Sequence, residues 1–247
     1  MVSHSSLLAE VSNPFRTQII LLLGEEPHSL TNLAKKLDLS KPEVSRHLAR
    51  LSEAGVVHKP NKPYELTPFG QLLLQLLSPL EFTLQRADYF RGRVVDLPPF
   101  LTRDLDSLGE AELVEGTGIV MFRAKEMVER IDKKYCMFVD QPFPFDPSHI
   151  IDEGYFLIPP SLAQEHGRDP PRTAMAYKHF EVRSLDPLPC VLALRDDEEA
   201  MLFFPDMTGK LDYSHGFHIK DSVGVEFAKK VWNYYWERGE PVKLPKE

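Results

Sequence analysis

The chain has 247 residues, 43% of them hydrophobic and 27% charged, and carries a formal net charge of −8. That length accommodates two domains with real cores, and the composition excludes a disordered or collagen-like chain. The longest apolar runs, such as Ile19 to Leu23, are too short to cross a bilayer, and the opening MVSHSSLLAE lacks the pattern of a secretory signal; the expectation is a cytoplasmic protein with no membrane partner.

The charge is unevenly spread. Met1 to Ser78 holds eight Lys+Arg and seven Asp+Glu, a balance of +1, which leaves −9 for the remainder. A near-neutral head with a local basic face can still bind nucleic acid, because affinity follows the phosphates actually neutralised. The two cysteines, Cys136 in KYCMFV and Cys190 in PCVLAL, sit in apolar, strand-like segments and read as reduced, buried thiols.

In chain order, Asn13-Pro14 caps and opens a first helix with Phe15, Ile19, Ile20, Leu22 and Leu23 as its apolar positions and Gly24 at its end. GEEPHS is a turn, and His28 to Leu30 reads as a very short strand. Thr31 starts a second helix, TNLAKKL, whose Leu33, Ala34 and Leu37 face inward. Asp38-Leu39 is a tight turn, and SKPEVSRHLARLSEAG follows at once. Ser40 is placed to cap that third helix, Pro42 stands where a missing N–H costs nothing, and Gly55 suits a left-handed stop. Val44, Leu48 and Leu51 form a narrow apolar stripe, while Lys41, Ser45, Arg46 and Arg50 lie off it. Such a helix can pack its back on a domain and lay its front in a DNA major groove.

Val56-Val57 and Tyr64-Glu65-Leu66 read as the strands of a hairpin wing with Lys59 and Lys62 at its tip. Thr67 then caps a helix, with Pro68 at its first position, that is dense in leucine: Leu72, Leu73, Leu74, Leu76, Leu77, Leu80 and Leu84. Its apolar surface exceeds what one packing partner needs and serves either a dimer mate or the next domain. The run from Asn13 to Leu66, with LAKKLDLSKPEVSRHLARLSEAGVVHK at its centre, resembles the winged helix-turn-helix of ArsR- and MarR-type regulators. The usual glycine of the inter-helix turn is here Asp38, a residue that tolerates left-handed geometry. The head has no cysteine, so the thiolate metal-sensing site of some ArsR-type proteins is absent from it.

From about Ala87 the chain turns polar and proline-bearing, helical in part through AELVEG. TGIVMF reads as a strand or the start of a helix, and AKEMVERI as a helix. YCMFVD, GYFLIPP, HFEVRSL, CVLALRD, AMLFFPD and GFHIKDS read as strands, and Ser222 to Arg238 as a long helix closed by Gly239 and Pro241. The segments DYFRGRVVDLPPFL and LPCVLALRDDEEAMLFFPDMTGKLDYSHGFHIKDS resemble the C-terminal domain of archaeal regulators of the methanogenesis-regulatory (FilR-type) family, with more distant kinship to TrmB-like regulators. The resemblance implies an archaeal source and an α/β effector or assembly domain behind a winged helix.

The expected fold class is therefore α+β: a winged helix-turn-helix over 1–78, a linker or dimerisation helix over 79–95, and a mixed α/β domain over 96–247. The expected DNA-contacting residues are Ser40, Lys41, Ser45, Arg46, Arg50, Lys59 and Lys62. Arg46 is the candidate for a bidentate guanine contact, Ser40 for a phosphate at the helix N-terminus, and the wing lysines for the backbone. A candidate small-molecule effector pocket takes in Tyr155, Phe203, Tyr213, His215, Phe217 and His218, against the plainer reading of core aromatics. His215 and His218 are three apart, so a strand points them to opposite faces, and no metal site is expected. His218-Ile219-Lys220 begins a phospholipase-D-type motif, but the aspartate required five residues after the lysine is Val225 and no second copy exists. The chain is read as a non-enzyme without cofactors, a homodimeric, double-stranded-DNA-binding transcriptional regulator. The alternatives are a winged-helix module that binds proteins without reading DNA and a DNA-tethered enzyme.

Overall fold

The computed structural model describes residues 4–59, 63–142, 147–166 and 172–244. It divides into two compact units, Met1–Leu84 and Gln85–Glu247.

The first unit runs α1 (His4–Val11), α2 (Pro14–Glu25), α3 (Leu30–Leu37), α4 (Lys41–Glu53), β1 (Val57–His58), β2 (Glu65–Leu66) and α5 (Pro68–Gln85). Its core gathers Ile19, Ile20 and Leu23 of α2, Leu33 and Ala34 of α3, Val44, Leu48 and Leu51 of α4, and Val56, Val57 and Leu66 around the hairpin. Each helix contributes one stripe, as the 3.6-residue period requires. β1 and β2 pair antiparallel, Val57 opposite Leu66. This is a winged helix-turn-helix.

Several boundaries depart from expectation. α1 lies in a stretch not expected to be helical. α2 passes through Gly24 and ends at Glu25. α3 begins at Leu30, because Ser29 accepts the Asn32 N–H at 3.2 Å and is the true cap. His28 forms a single bridge with Tyr64 and no longer strand. Thr67 Oγ1 accepts the Gly70 N–H at 3.0 Å and opens α5 as expected. α5 then runs through Pro79 as one helix, so the division between the units falls at its end, inside the 79–95 stretch read as a linker.

The second unit begins with two short helices, α6 (Ala87–Phe90) and α7 (Pro99–Thr102), and a 3-10 turn at Leu105–Leu108. It continues with β3 (Glu112–Glu115), α8 (Thr117–Glu129), β4 (Lys134–Phe138), β5 (Ile151–Ile158), α9 (Pro160–His166), β6 (Tyr177–Ser184), β7 (Val191–Arg195), β8 (Glu199–Phe203), β9 (His215–Ile219), α10 (Ser222–Trp236) and β10 (Glu240–Pro241). Among the described residues these strands form one sheet in the order β10-β6-β5-β4-β7-β8-β9-β3. β4, β5 and β6 run parallel to their neighbours in that trio, and the other pairs are antiparallel. β7 and β8 are almost wholly apolar and buried, as central strands covered on both faces must be. α10 buries Val225, Phe227, Ala228, Val231 and Trp232, and Trp232 stacks on Phe138 of β4 at 5.0 Å. TGIVMF is helical, the first half of α8, and the stretch expected to be helical in part holds α6, α7 and the 3-10 turn before AELVEG supplies edge strand β3. Cys136 and Cys190 are free and fully buried.

Candidate nucleic-acid interface

The turn before α4 is built from one backbone exception. Asp38 adopts left-handed angles, φ 53° and ψ 42°, and Leu39 N–H donates to the Ala34 carbonyl at 3.1 Å, closing α3. The chain can then enter α4 within two residues. At its start Ser40 and Glu43 form a reciprocal capping box. The Ser40 N–H donates to Glu43 Oε2 at 3.0 Å, the Ser40 hydroxyl donates to the same oxygen at 2.6 Å, and the Glu43 N–H reaches Ser40 Oγ at 3.4 Å. These bonds to Ser40 hold the Glu43 carboxyl below the usual carboxylate range. At the exit, Gly55 takes φ 74°.

Val44, Leu48 and Leu51 are each at most 1% exposed and fix the rotation of α4. At 100° per residue, Arg46 lies about 200° round the helix from Val44, directly outward. Lys41, Ser45 and Arg46 are exposed, and among the described residues none of the three side chains has a hydrogen-bonded or ion-paired partner. Lys59, at the end of β1, is exposed and lies 5.0 Å over the Tyr64 ring. Lys62 falls outside the described residues.

Two of the expected contact residues are otherwise engaged. Ser40, expected to meet a phosphate at the helix N-terminus, has its hydroxyl donated to Glu43 and caps α4. Arg50 is bound by Glu10 of α1, Nη2 to Oε1 at 2.6 Å and Nε to Oε2 at 3.4 Å. Glu10 also faces Arg16 of α2 at 3.2 Å. Nothing in the local pattern of α4 signals a partner forty residues away. A shallow cavity of about 490 Å³ lies along this side of α4, lined by Phe15, Arg16, Leu39, Glu43, Arg46, His47, Ala49 and Arg50. His47, 5.7 Å from the Phe15 ring, has its pKa lowered by burial and then by the charges of Arg16 and Arg46.

The second unit does not bring the six effector-pocket candidates together. Tyr155 is on β5, with β4 and β7 between it and the strand of Phe203, and it packs edge-on against His179 and Trp236. His215 and Phe217 share a face of β9 and both pack on Tyr89, at 4.9 and 5.0 Å. His218 points the other way, to Glu199 at 2.7 Å, as the alternation of a strand dictates. Phe203, Phe217 and His218 are at most 3% exposed, and the Tyr213 hydroxyl donates to Asp140 at 2.5 Å. Strand order sets Tyr155 apart from the others, and the alternation of β9 turns His218 away from His215 and Phe217. Among the described residues no group of three or more His, Cys, Asp or Glu is placed to hold a metal ion, and no helix is long and apolar enough to cross a membrane.

Residues 4–89 match the family model described as the HVO_A0261 N-terminal domain. Over 47 residues, 19% of this chain, the sequence is 43% identical to an uncharacterized HTH-type transcriptional regulator of Methanocaldococcus jannaschii, and the match spans 50% of that relative's length. Among solved structures, TrmBL2, described as an archaeal chromatin protein with a novel mode of DNA binding, aligns at 16% identity and a TM-score of 0.41 over 97% of this chain and 100% of its own. HlyU from Vibrio cholerae aligns at 28% identity and a TM-score of 0.29 over 32% of this chain and 97% of its own.

Proposed function

We propose that this protein is a sequence-specific double-stranded-DNA-binding transcriptional regulator with a head of the ArsR or MarR type. The observation that carries this reading is the outward face of α4. Arg46 stands opposite the buried stripe of a doubly capped helix and has no partner among the described residues, flanked by the exposed Lys41 and Ser45. A fork-shaped cation on a rigid helix is suited to the O6 and N7 atoms of guanine in the major groove. Lys59 of the wing, with Lys62, supplies backbone contacts that position without reading. The 43% identity over 47 residues to a protein named as an HTH-type transcriptional regulator supports the same reading.

In this reading two copies act together. Leu72, Leu76, Leu80 and Leu84 recur every four residues along α5 and are 53%, 57%, 53% and 60% exposed, a ridge suited to packing against its own copy. A symmetric dimer would place two α4 helices about 34–36 Å apart, one turn of the duplex. The C-terminal unit is assigned the effector or assembly role that its resemblance to the FilR-type domain implies.

The test is a titration of a fluorescent duplex with the full chain at several salt concentrations. A logarithm of affinity that falls linearly with log salt is expected. Duplex binding that is absent, or indifferent to salt, removes the DNA reading and leaves a protein-binding winged helix.

A further inference from the structure

The N-terminal helix is tied to the proposed reading helix through one buried carboxylate. Glu10 is 7% exposed and faces two arginines from different helices, Arg16 of α2 and Arg50 of α4. Arg16 also closes the C-terminal end of α1: its Nε donates to the Glu10 carbonyl at 2.6 Å and its Nη2 to the Ala9 carbonyl at 3.0 Å. Thr17 Oγ1 donates to the Val11 carbonyl at 2.6 Å. α1 is thus stapled to α2 by carbonyl contacts that leave the Glu10 side chain turned toward α4. The Arg50 hydrogen bond, opposed by burial and helped by the charges of both arginines, holds the Glu10 carboxyl below the usual carboxylate range, so the pair stays charged at neutral pH.

The geometry decides which edge of Arg50 remains usable. Its Nε and Nη2 are both spent on Glu10, and that edge is one of the two through which a guanidinium makes paired bonds to a base or a phosphate. The side chain is still 60% exposed, so a solvent-facing arginine on the expected DNA side is neutralised by a carboxylate that is itself out of solvent. Arg46, four residues earlier, has no such partner.

Resting on the DNA-binding reading above, we propose that Glu10 is a positioning residue that withholds Arg50 from DNA, leaving Arg46 as the base-reading arginine of α4. Arg50 then anchors α1, and the N-terminal helix sets how many cations the head presents to the duplex.

Salt dependence reads this directly, because each phosphate contact adds about 0.9 to the slope of log affinity against log salt. The full chain is titrated with one duplex as wild type, Arg50→Ala, Glu10→Gln and the double variant. Arg50→Ala is expected to leave the wild-type slope unchanged and affinity within about twofold, as a withheld charge requires. Glu10→Gln is expected to steepen the slope by about one and to bind several-fold tighter, and the double variant to return to the wild-type slope. An Arg50→Ala protein whose slope is shallower by about one overturns the proposal, as does a folded Glu10→Gln protein with an unchanged slope. Should Glu10→Gln fail to fold, the Arg50→Ala slope decides alone. A wild type that binds without salt dependence brings down the DNA reading and this inference together. A salt-dependent wild type weakened by Arg46→Ala, with a flattened Arg50→Ala slope, brings down this inference only.

Discussion

His218 Nε2 lies 2.7 Å from Glu199 Oε1, and both side chains are almost fully buried where β8 meets β9. The same carboxylate accepts from Arg130 Nη2 at 3.0 and 3.1 Å and from Arg195 Nε at 3.1 Å. One glutamate therefore ties the end of α8, β7 and β9 to the start of β8. Removing it strips the buried His218 of its partner, while Arg130 is half exposed and Arg195 keeps Asp196 and Glu198. Glu199→Ala is expected to cost about 1–3 kcal/mol in urea unfolding of the C-terminal unit. A loss under about 1 kcal/mol would show that the cluster is solvated in practice.

The same group predicts an acid limb. Burial by itself raises the Glu199 pKa, but the His218 hydrogen bond and the charges of Arg130 and Arg195 outweigh it and bring the value to about 2, against 4.5 for an ordinary glutamate. A depressed folded-state pKa contributes stability that is complete above the unfolded value and is lost as pH falls toward the folded one. The melting temperature of the wild type should thus fall between pH 4.5 and pH 2. Glu199→Gln should show a shallower fall over that window. Parallel curves for the two proteins would contradict the assignment.

Ser40 is predicted to act on stability rather than on contact with DNA. Ser40→Ala should destabilise the head by about 1 kcal/mol, and Ser40→Thr should keep most of that stability, since threonine retains both the accepting oxygen and the hydroxyl that donates to Glu43. Thermal melts of both variants check this. Loss of duplex affinity in Ser40→Ala with no change in melting would return the hydroxyl to the interface.

Arg46 and Lys59 are predicted to differ in kind. Arg46→Ala should cost about 1–3 kcal/mol on a specific site and relax base preference at one position. Lys59→Ala should weaken binding evenly across sequences and lower the salt slope by about one. Mobility-shift titrations on matched and scrambled duplexes separate the two outcomes.

Both thiols should be silent in the native state. Cys136 and Cys190 are fully buried, and burial pushes the Cys136 thiol up to about 12 and raises that of Cys190 as well. The reactive species is the thiolate, so a disulfide-exchange reagent at pH 8 should label neither within minutes and both once the chain is unfolded. Rapid labelling of the folded protein would reveal an opening that exposes β4 or the entry to β7.

The head was legible in the sequence because its signals are local. A cap, a proline at the first turn, a 3.6-residue stripe and a residue tolerant of left-handed angles define α4 without reference to anything distant, and Val44, Leu48 and Leu51 are buried as that stripe demands. Most strands of the second unit were readable for the same reason, as short apolar runs. The charged residues were not settled by pattern alone. Side-chain polarity says that Arg50 leaves the core, and only the fold of α1 against α2 supplies the Glu10 that takes it up. Likewise Tyr155 and Phe203 look alike as candidate pocket residues, and only the strand order sets β4 and β7 between their strands. Periodicity fixes which way a side chain faces on its own element; the partner it meets depends on chain-distant packing, which no local spacing encodes.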